Sequence, residues 1–247
     1  MTEPNSTATP TALVTGANKG IGLEIARRLA ADGYSVWLGS RDRDRGEAAA
    51  ASLAAAGYAA NVLELDVTDD DSVARAATAL AQQTGHLDVL VNNAGVVVGG
   101  QQLPSVEPVR DMKETYEVNV FGPVRVTQAF LPLLKASKAG RIVMMGSGLG
   151  SIALTLDTAN PFYDVNLLGY NTSKSALNAV TVTFAKEFRP LGIKVNAADP
   201  GFTATDLNGH TGYRTVEQGA EIAVRLATLP ADGPTGGFFD ETGPQPW

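Results

Sequence analysis

The sequence contains no cysteine, only 2 histidines among 247 residues and an aromatic share of 6%. Without cysteine there can be no disulfide, thiolate metal site, iron–sulfur cluster or cysteine nucleophile, and no other cluster of side chains indicates a metal site. No run of about 18 apolar residues predicts a membrane span, and the polar first ten residues lack the basic segment of a secretory signal. The formal charge of −7 argues against a surface for nucleic acid or anionic membranes. We therefore expect a soluble, cytoplasmic protein.

Short apolar segments alternate with segments of helical length along most of the chain. The apolar segments mostly lack polar alternation, as strands buried on both faces do. Candidate strands lie at 11–15, 35–39, 61–65, 88–91, 141–145 and 193–197, with a short edge strand at 238–239. Helices are predicted at 21–31, 42–56, 69–84, 170–188 and from a capping box at Thr215 to Pro230. This order predicts an α/β, Rossmann-type doubly wound parallel sheet of about seven strands. We expect one domain, residues 11–247, after a disordered leader at 1–10.

A glycine-rich segment, TGANKGIG, joins the first predicted strand to the first predicted helix. Its glycines allow a tight turn and a close approach of the backbone to a pyrophosphate. A purely structural turn is the alternative, but the position in the first βα unit favours a dinucleotide site. The cofactor residues predicted here are Gly16, Asn18, Lys19, Gly20, Ile21 and Gly22.

The end of the second predicted strand bears on which nicotinamide cofactor binds. An NAD site usually has an acid near this point, which accepts hydrogen bonds from the adenosine ribose. This chain has Arg41 there, Arg45 one helical turn later and Lys19 in the glycine-rich segment. Three cations could hold a 2′-phosphate, for which the planar arginine side chain is well suited, so we predict NADPH. NADH is the alternative, because the aspartates between these arginines are also typical of a solvated helix start.

The third and fourth predicted strands end in further candidates for cofactor binding. Asp66 could accept a hydrogen bond from the adenine amino group. The segment Asn92-Asn93-Ala94-Gly95 offers amide and backbone partners for a flat ligand, although an Asx turn would use the same residues. We assign Asp66, Asn93, Ala94 and Gly95 to the cofactor site.

Tyr170 and Lys174 lie four residues apart at the start of a predicted helix, so both side chains share one helix face. An ammonium beside a phenol lowers the pKa of the phenol. Such a tyrosine could exchange a proton with a carbonyl or an alcohol near neutral pH. The pair is common by itself, and it gains meaning here because it follows a dinucleotide-binding half.

Taken together, these motifs resemble the short-chain dehydrogenase/reductase family. TGANKGIG, NNAG, Asn119, Ser147, YNTSK and Pro200-Gly201 occur in the family's order, and GSRDRDRG and LDVLVNNAG are most similar to the carbonyl reductases. The resemblance implies that Tyr170 donates the proton in carbonyl reduction, Ser147 binds the substrate oxygen, and Asn119 holds a water that relays protons to Lys174. It implies that Lys174 binds the nicotinamide ribose and lowers the tyrosine pKa. Further cofactor contacts are implied for Val67, Pro200, Gly201, Phe202 and Thr205.

Pro123 supports the role of Asn119 independently. It has no N–H, so the Asn119 carbonyl lacks a helical donor if this segment is helical. A free carbonyl facing a cleft is a natural site for water. A simple kink, aided by Gly122, is the alternative.

The segment before Tyr170 departs from the family pattern. Tyr170 lies 23 residues after Ser147, about ten more than is usual in the family. Ser151 is a competing serine, but Ser147 directly follows the predicted strand and is preferred. We expect the extra residues, roughly Leu154 to Leu168, to form a wall or short helix beside the pocket. Many members pack this region against another subunit, so the insertion predicts a monomer, with a homodimer or homotetramer as alternatives.

The pocket candidates are mostly apolar, which suits a medium-sized hydrophobic or activated ketone. They are Val97, Leu149, Leu154, Phe162 and Phe202, beside Ser147 and Tyr170. We thus expect an NADPH-dependent carbonyl reductase that converts a ketone or aldehyde to a chiral alcohol. The alternatives are an NADH-preferring alcohol dehydrogenase and an NADP(H) sensor without turnover, which has no need of these catalytic residues.

Overall fold

A computed structural model describes residues 9–247, so the predicted leader at 1–10 falls almost wholly outside the described residues. The strands are β1 Thr11–Thr15, β2 Ser35–Ser40, β3 Ala60–Glu64, β4 Val89–Asn92, β5 Arg141–Met145, β6 Lys194–Ala198 and β7 Phe238–Phe239. All seven run parallel in one sheet, in the order β3-β2-β1-β4-β5-β6-β7. The strand order reverses between β1 and β4, the point at which such sheets bind ligands. The predicted fold class is confirmed.

Helices cover both faces of the sheet. They are α1 Gly20–Ala31, α2 Arg43–Ala55, α3 Asp70–Thr84, α4 Val109–Tyr116, α5 Gly122–Ala136, α6 Ile152–Leu156, α7 Leu168–Phe188 and α8 Val216–Ala227. A π-helical segment, Glu117–Phe121, joins α4 to α5. None of the helices within residues 9–247 is both long enough and apolar enough to span a membrane.

The core consists of two layers separated by the sheet. Leu13 of β1 packs with residues of α3, α5 and α7, whereas its neighbours Ala12 and Val14 pack with residues of α1, α2 and α8. All residues of β1 are buried. Burial on both faces explains why the strands show no polar alternation in the sequence.

Most predicted boundaries lie within one residue of the observed ones, and capping explains the small shifts. Asp42 caps α2 by accepting a hydrogen bond from the Arg45 N–H at 3.0 Å, so the helix begins at Arg43. Thr215 and Gln218 form the predicted capping box of α8. The structure adds α4 and α5, which were not predicted, and α6, which overlaps only the start of the predicted wall or short helix before Tyr170.

Candidate active site

A cleft of about 540 Å³ opens at the carboxyl ends of the parallel strands. The predicted cofactor residues line it, except Gly201 and Phe202, which lie in the loop after β6. Among the predicted substrate residues, Val97 and Tyr170 line the cleft, whereas Ser147, Leu149 and Phe202 lie outside its lining. Most of the predicted residues therefore meet in one place, as expected for loops that leave the same edge of a parallel sheet.

The glycine-rich loop between β1 and α1 is held in a conformation that needs glycine. Gly16 and Gly20 have φ values of +63° and +57°, which side chains rarely allow. A Cβ on Gly22 would lie 2.4 Å from the Asn93 amide nitrogen. That amide donates hydrogen bonds to the carbonyls of Thr15 at 2.9 Å and Gly16 at 3.2 Å. Asn93 therefore anchors the loop in addition to lining the cleft.

The three predicted phosphate-binding cations have different partners. Arg45 pairs with Asp42 at 3.2 Å, and Lys19 pairs with Asp206. Arg41 is exposed, and within residues 9–247 it forms no ion pair. Arg41 is thus the cation of this set that remains available to an anionic ligand.

Residues 201–214, which we call the lid, lie between the end of β6 and the start of α8. The lid is closed at its base by a hydrogen bond of 2.9 Å from the Ala204 N–H to the Arg214 carbonyl. Its Asp206 pairs with Lys19 of the glycine-rich loop and lies 2.7 Å from Nε2 of His210. The hydrogen bonds from Lys19 and then His210 lower the pKa of Asp206. These contacts hold the lid against the glycine-rich loop.

Asp66 and Val67 form the cleft wall at the end of β3. Oδ1 of Asp66 accepts hydrogen bonds from the N–H of Thr68 at 2.9 Å and from its hydroxyl at 2.7 Å. The turn therefore uses this oxygen, and Oδ2 is the atom left to accept from an adenine amino group.

Tyr170, Lys174 and Ser147 are brought together by the start of α7 and the turn after β5. Lys174 is buried, with Nζ donating a hydrogen bond to the Met145 carbonyl at 2.7 Å and lying 5.5 Å from the centre of the Tyr170 ring. The Ser147 hydroxyl, which accepts the Leu149 N–H at 3.2 Å, lies near Tyr170 and acts to lower the pKa of its phenol. This group of a phenol, an ammonium and a hydroxyl can transfer a proton to an oxygen placed beside Tyr170.

Burial dominates the electrostatics of this group. It raises the pKa of Tyr170 to about 12, although the Ser147 hydroxyl acts in the opposite direction, and Asp199 raises it further. Burial also lowers the pKa of Lys174 to about 8, against the influence of Asp199. The pKa of Tyr170 is therefore raised above its ordinary value in this structure, because desolvation of the phenolate is the largest influence on it.

Asn119 lies in the π-helical segment and is completely buried. Its Oδ1 accepts from the Val96 N–H at 2.9 Å, and its Nδ2 donates to the Val96 carbonyl at 2.9 Å and to the Ser173 hydroxyl at 3.0 Å. A Cβ on Gly95 would lie 3.5 Å from Asn119 Oδ1 and 3.7 Å from Lys174 Nζ, so these two atoms share one corner. The side chain thus ties the loop after β4 to α7, which leaves only the backbone carbonyl for the predicted water.

The two candidate serines have different partners. The Ser151 hydroxyl accepts the Leu154 N–H at 3.1 Å and caps α6, and Ser151 is completely buried. Of the two serines, Ser147 is the one that acts on the pKa of Tyr170. The inserted segment reaches the lid through Phe162, whose ring centre lies 5.8 Å from that of Phe202.

Three acidic residues near the site were not predicted. Asp206 holds the lid, Asp199 influences Tyr170 and Lys174, and Glu107 accepts the N–H of Gly169 at 2.8 Å, next to Tyr170. An acid directly after a strand, as at Asp199, is a signal that could have been used. Glu107 and Gly169 are 62 residues apart, so nothing local in the sequence predicts their contact.

Comparison with known proteins gives consistent matches along most of the chain. The family model described as short chain dehydrogenase matches residues 10–214. (+)-Neomenthol dehydrogenase of Arabidopsis thaliana is 35% identical over 288 aligned positions, which cover 92% of this chain and 95% of the relative. The structure of salutaridine reductase from Papaver somniferum has a TM-score of 0.81 at 30% identity, covering 94% and 99% of the two chains. NADPH-bound carbonyl reductase from chicken fatty liver has a TM-score of 0.84 at 28% identity, covering 97% and 99%.

Proposed function

The chain belongs to the short-chain dehydrogenase family of NAD(P)H-using oxidoreductases, and from this premise we propose that it is an NADPH-dependent carbonyl reductase. The observation that carries the proposal is the contact of Ser147 and Lys174 with Tyr170 beside the cleft. The relatives named for their reactions, a neomenthol dehydrogenase, an isopiperitenone reductase and a salutaridine reductase, support reductive or oxidative chemistry on small molecules.

The described residues fit a dinucleotide with a 2′-phosphate. The positive φ values of Gly16 and Gly20 let the loop before α1 present backbone N–H groups to a pyrophosphate at the helix start. Arg41, without an ion pair among residues 9–247, would bind the 2′-phosphate. Lys174 would bind the nicotinamide ribose. NADPH, when bound, supplies the hydride.

Tyr170 would supply the proton. With a pKa of about 12, its phenol is protonated at neutral pH, the form that ketone reduction requires. Ser147 would donate its hydroxyl hydrogen to the same carbonyl oxygen and so fix the position of that oxygen. The carbon of the C=O bond gains the hydride, its oxygen gains the Tyr170 proton, and a C–OH group results. Lys174 would stabilise the phenolate left behind.

The substrate we propose is a medium-sized apolar ketone or aldehyde. Val97 lines the cleft, and Phe162, Phe202 and Tyr213 form a continuous aromatic contact, with ring centres 5.8 Å and 6.0 Å apart. This cluster joins the inserted segment to the lid.

We further propose a monomer, because the inserted segment occupies the region where other members pack subunits. Size-exclusion chromatography with light scattering tests the oligomeric state.

The test is oxidation of NADPH, followed by absorbance, with a panel of ketones and aldehydes. Tyr170→Phe should abolish reduction while NADPH still binds with nearly unchanged affinity. Equal turnover by the variant would contradict the assignment of the proton donor.

Arg41→Ala tests the cofactor preference. The variant should lose at least about tenfold in affinity for NADPH and little for NADH, since one charge-assisted phosphate contact contributes about 1.5–3 kcal/mol. Arg43→Ala is the matched control, because Arg43 lies two residues further along, at the start of α2, and pairs with Glu47 at 2.8 Å. Equal weakening of both cofactors by Arg41→Ala would remove the argument that Arg41 binds the 2′-phosphate.

A further inference from the structure

We propose that Asp199 is a positioning residue whose carboxylate joins the turn that carries Ser147 to the base of the lid. The inference rests on the proposed role of Tyr170 as proton donor. It adds a residue outside the catalytic set and assigns it an effect on the direction of proton transfer.

Asp199 occupies a junction of four parts of the chain. It directly follows β6, and its N–H donates to the Phe239 carbonyl of β7 at 2.8 Å. Its Oδ1 accepts the Gly201 N–H at 2.9 Å, and the backbone N–H of Gly148, next to Ser147, acts to lower the pKa of the same carboxyl group. A Cβ on Gly148 would lie 3.0 Å from Oδ2 of Asp199. One carboxylate thus fixes both the serine turn and the first turn of the lid.

The two ends of the lid meet beside Asp199. Gly201 has a φ of +67°, and a Cβ there would lie 2.7 Å from Cδ of Arg214. The Arg214 side chain is only 14% exposed, and its Nε is buried without a hydrogen-bond partner among residues 9–247. Arg214 donates through Nη2 to the Gln218 carbonyl at 3.0 Å and pairs with Glu241. Its charge also acts on Asp199, so the carboxylate contributes to holding the base of the lid.

The charged groups around Asp199 and Tyr170 come from every neighbouring element. Tyr170 faces Ser147 from the turn after β5, Lys174 from its own helix and Asp199 from the end of β6. Burial raises the pKa of Asp199, as does nearby Asp240, while the N–H groups and Arg214 lower it. A negative Asp199 disfavours the Tyr170 phenolate and favours the Lys174 ammonium. Both effects favour the protonation states that reduction requires.

The test compares Asp199→Asn with the unmodified protein by two readouts. The first is the pH dependence of kcat/KM for ketone reduction, whose alkaline limb should move to lower pH by about one unit, because the pKa values of Tyr170 and Lys174 both fall. The second needs no activity: with ¹³C-labelled tyrosine rings, the Tyr170 signal, identified by its loss in Tyr170→Phe, should begin to titrate about one pH unit earlier.

Asp88→Asn is the matched control. Asp88 also uses both oxygens, accepting the Thr11 N–H at 2.7 Å and the Ser137 hydroxyl at 2.5 Å, but it lies at the amino edge of the sheet. This variant should lose stability without moving either readout. Asp199→Glu, which keeps the charge, should retain the original onset, and Asp199→Ser provides a second neutral variant should Asp199→Asn not fold.

The outcomes separate this inference from the proposed function. An unchanged Tyr170 titration and an unchanged pH profile in the neutral variants would overturn the inference while ketone reduction stands. A shifted titration in a protein that reduces no carbonyl would support the charge coupling and contradict the proposed function.

Discussion

Replacing Asn119 by aspartate tests how much the buried amide stabilises the junction between the loop after β4 and α7. The substitution exchanges an NH₂ group for a carboxylate oxygen at a completely buried position and removes the hydrogen bonds to the Val96 carbonyl and the Ser173 hydroxyl. Each lost bond costs about 1 kcal/mol, and a buried charge adds to this, partly offset by Lys174 nearby. We expect a loss of about 2–4 kcal/mol, or about 5–15 °C in Tm.

The loss should depend on pH in a direction that identifies its cause. Burial raises the pKa of the new carboxyl in the folded state above its unfolded value. Below the unfolded pKa the group is protonated in both states and can donate its hydrogen to the Val96 carbonyl. Stability is then lost as pH rises through the folded pKa. Urea unfolding at about pH 5 and at about pH 8 should therefore show the smaller deficit at the lower pH.

Asn160→Asp is the matched control for this prediction. Asn160 makes an equivalent pair of contacts, accepting the Phe162 N–H and donating to the Leu154 carbonyl, both at 2.9 Å, but it is only partly buried. Water can solvate its carboxylate, so we expect a loss below about 1 kcal/mol and little dependence on pH. An equal loss in the two variants, or a deficit for Asn119→Asp that shrinks as pH rises, would refute the reasoning.

Three further substitutions test separate parts of the fold and the site. Phe130→Ala removes a completely buried ring and should cost about 3–5 kcal/mol in urea unfolding; a smaller loss would mean that the core collapses around the gap. Gly22→Ala should weaken NADPH binding at least about tenfold in titration calorimetry, because its Cβ would meet the Asn93 amide at 2.4 Å; unchanged affinity would contradict the tight loop. Ser151→Ala should cost about 1 kcal/mol by loss of the α6 cap yet retain reduction, whereas Ser147→Ala should lose reduction; loss of reduction in Ser151→Ala alone would exchange the roles of the two serines.

The fold was predictable because its signals are local. The β1 strand is buried on both faces and therefore reads as a continuous apolar segment. Asp42 and Thr215 begin helices through their side chains, so each boundary is marked by the residue that caps it. The π-helical segment at Glu117–Phe121 was not predicted, although Pro123 indicated a disturbed hydrogen-bond pattern there. A missing N–H is visible in a sequence, but the way the helix adjusts to it depends on packing.

The residues that form the site could be predicted for a reason that does not extend to their energetics. Parallel strands bring their carboxyl ends to one edge, so Asn93 and Tyr170 meet although they lie far apart in the sequence. Asp206 could not be assigned to Lys19 in the same way, because the path of the lid is set by its contacts with the glycine-rich loop.

The protonation of Tyr170 shows why spacing alone does not determine chemistry. The four-residue spacing correctly places Lys174 near the phenol. That proximity lowers the pKa of the phenol only if water still solvates the phenolate. In the folded chain the phenol is desolvated and a carboxylate lies nearby, so its pKa rises to about 12. A tyrosine that holds its proton this firmly releases it only to an acceptor that becomes strongly basic during the reaction. The oxygen of a carbonyl that is receiving a hydride is such an acceptor, so the raised pKa is compatible with the proposed reduction, whereas alcohol oxidation requires the phenolate, which is scarce at neutral pH.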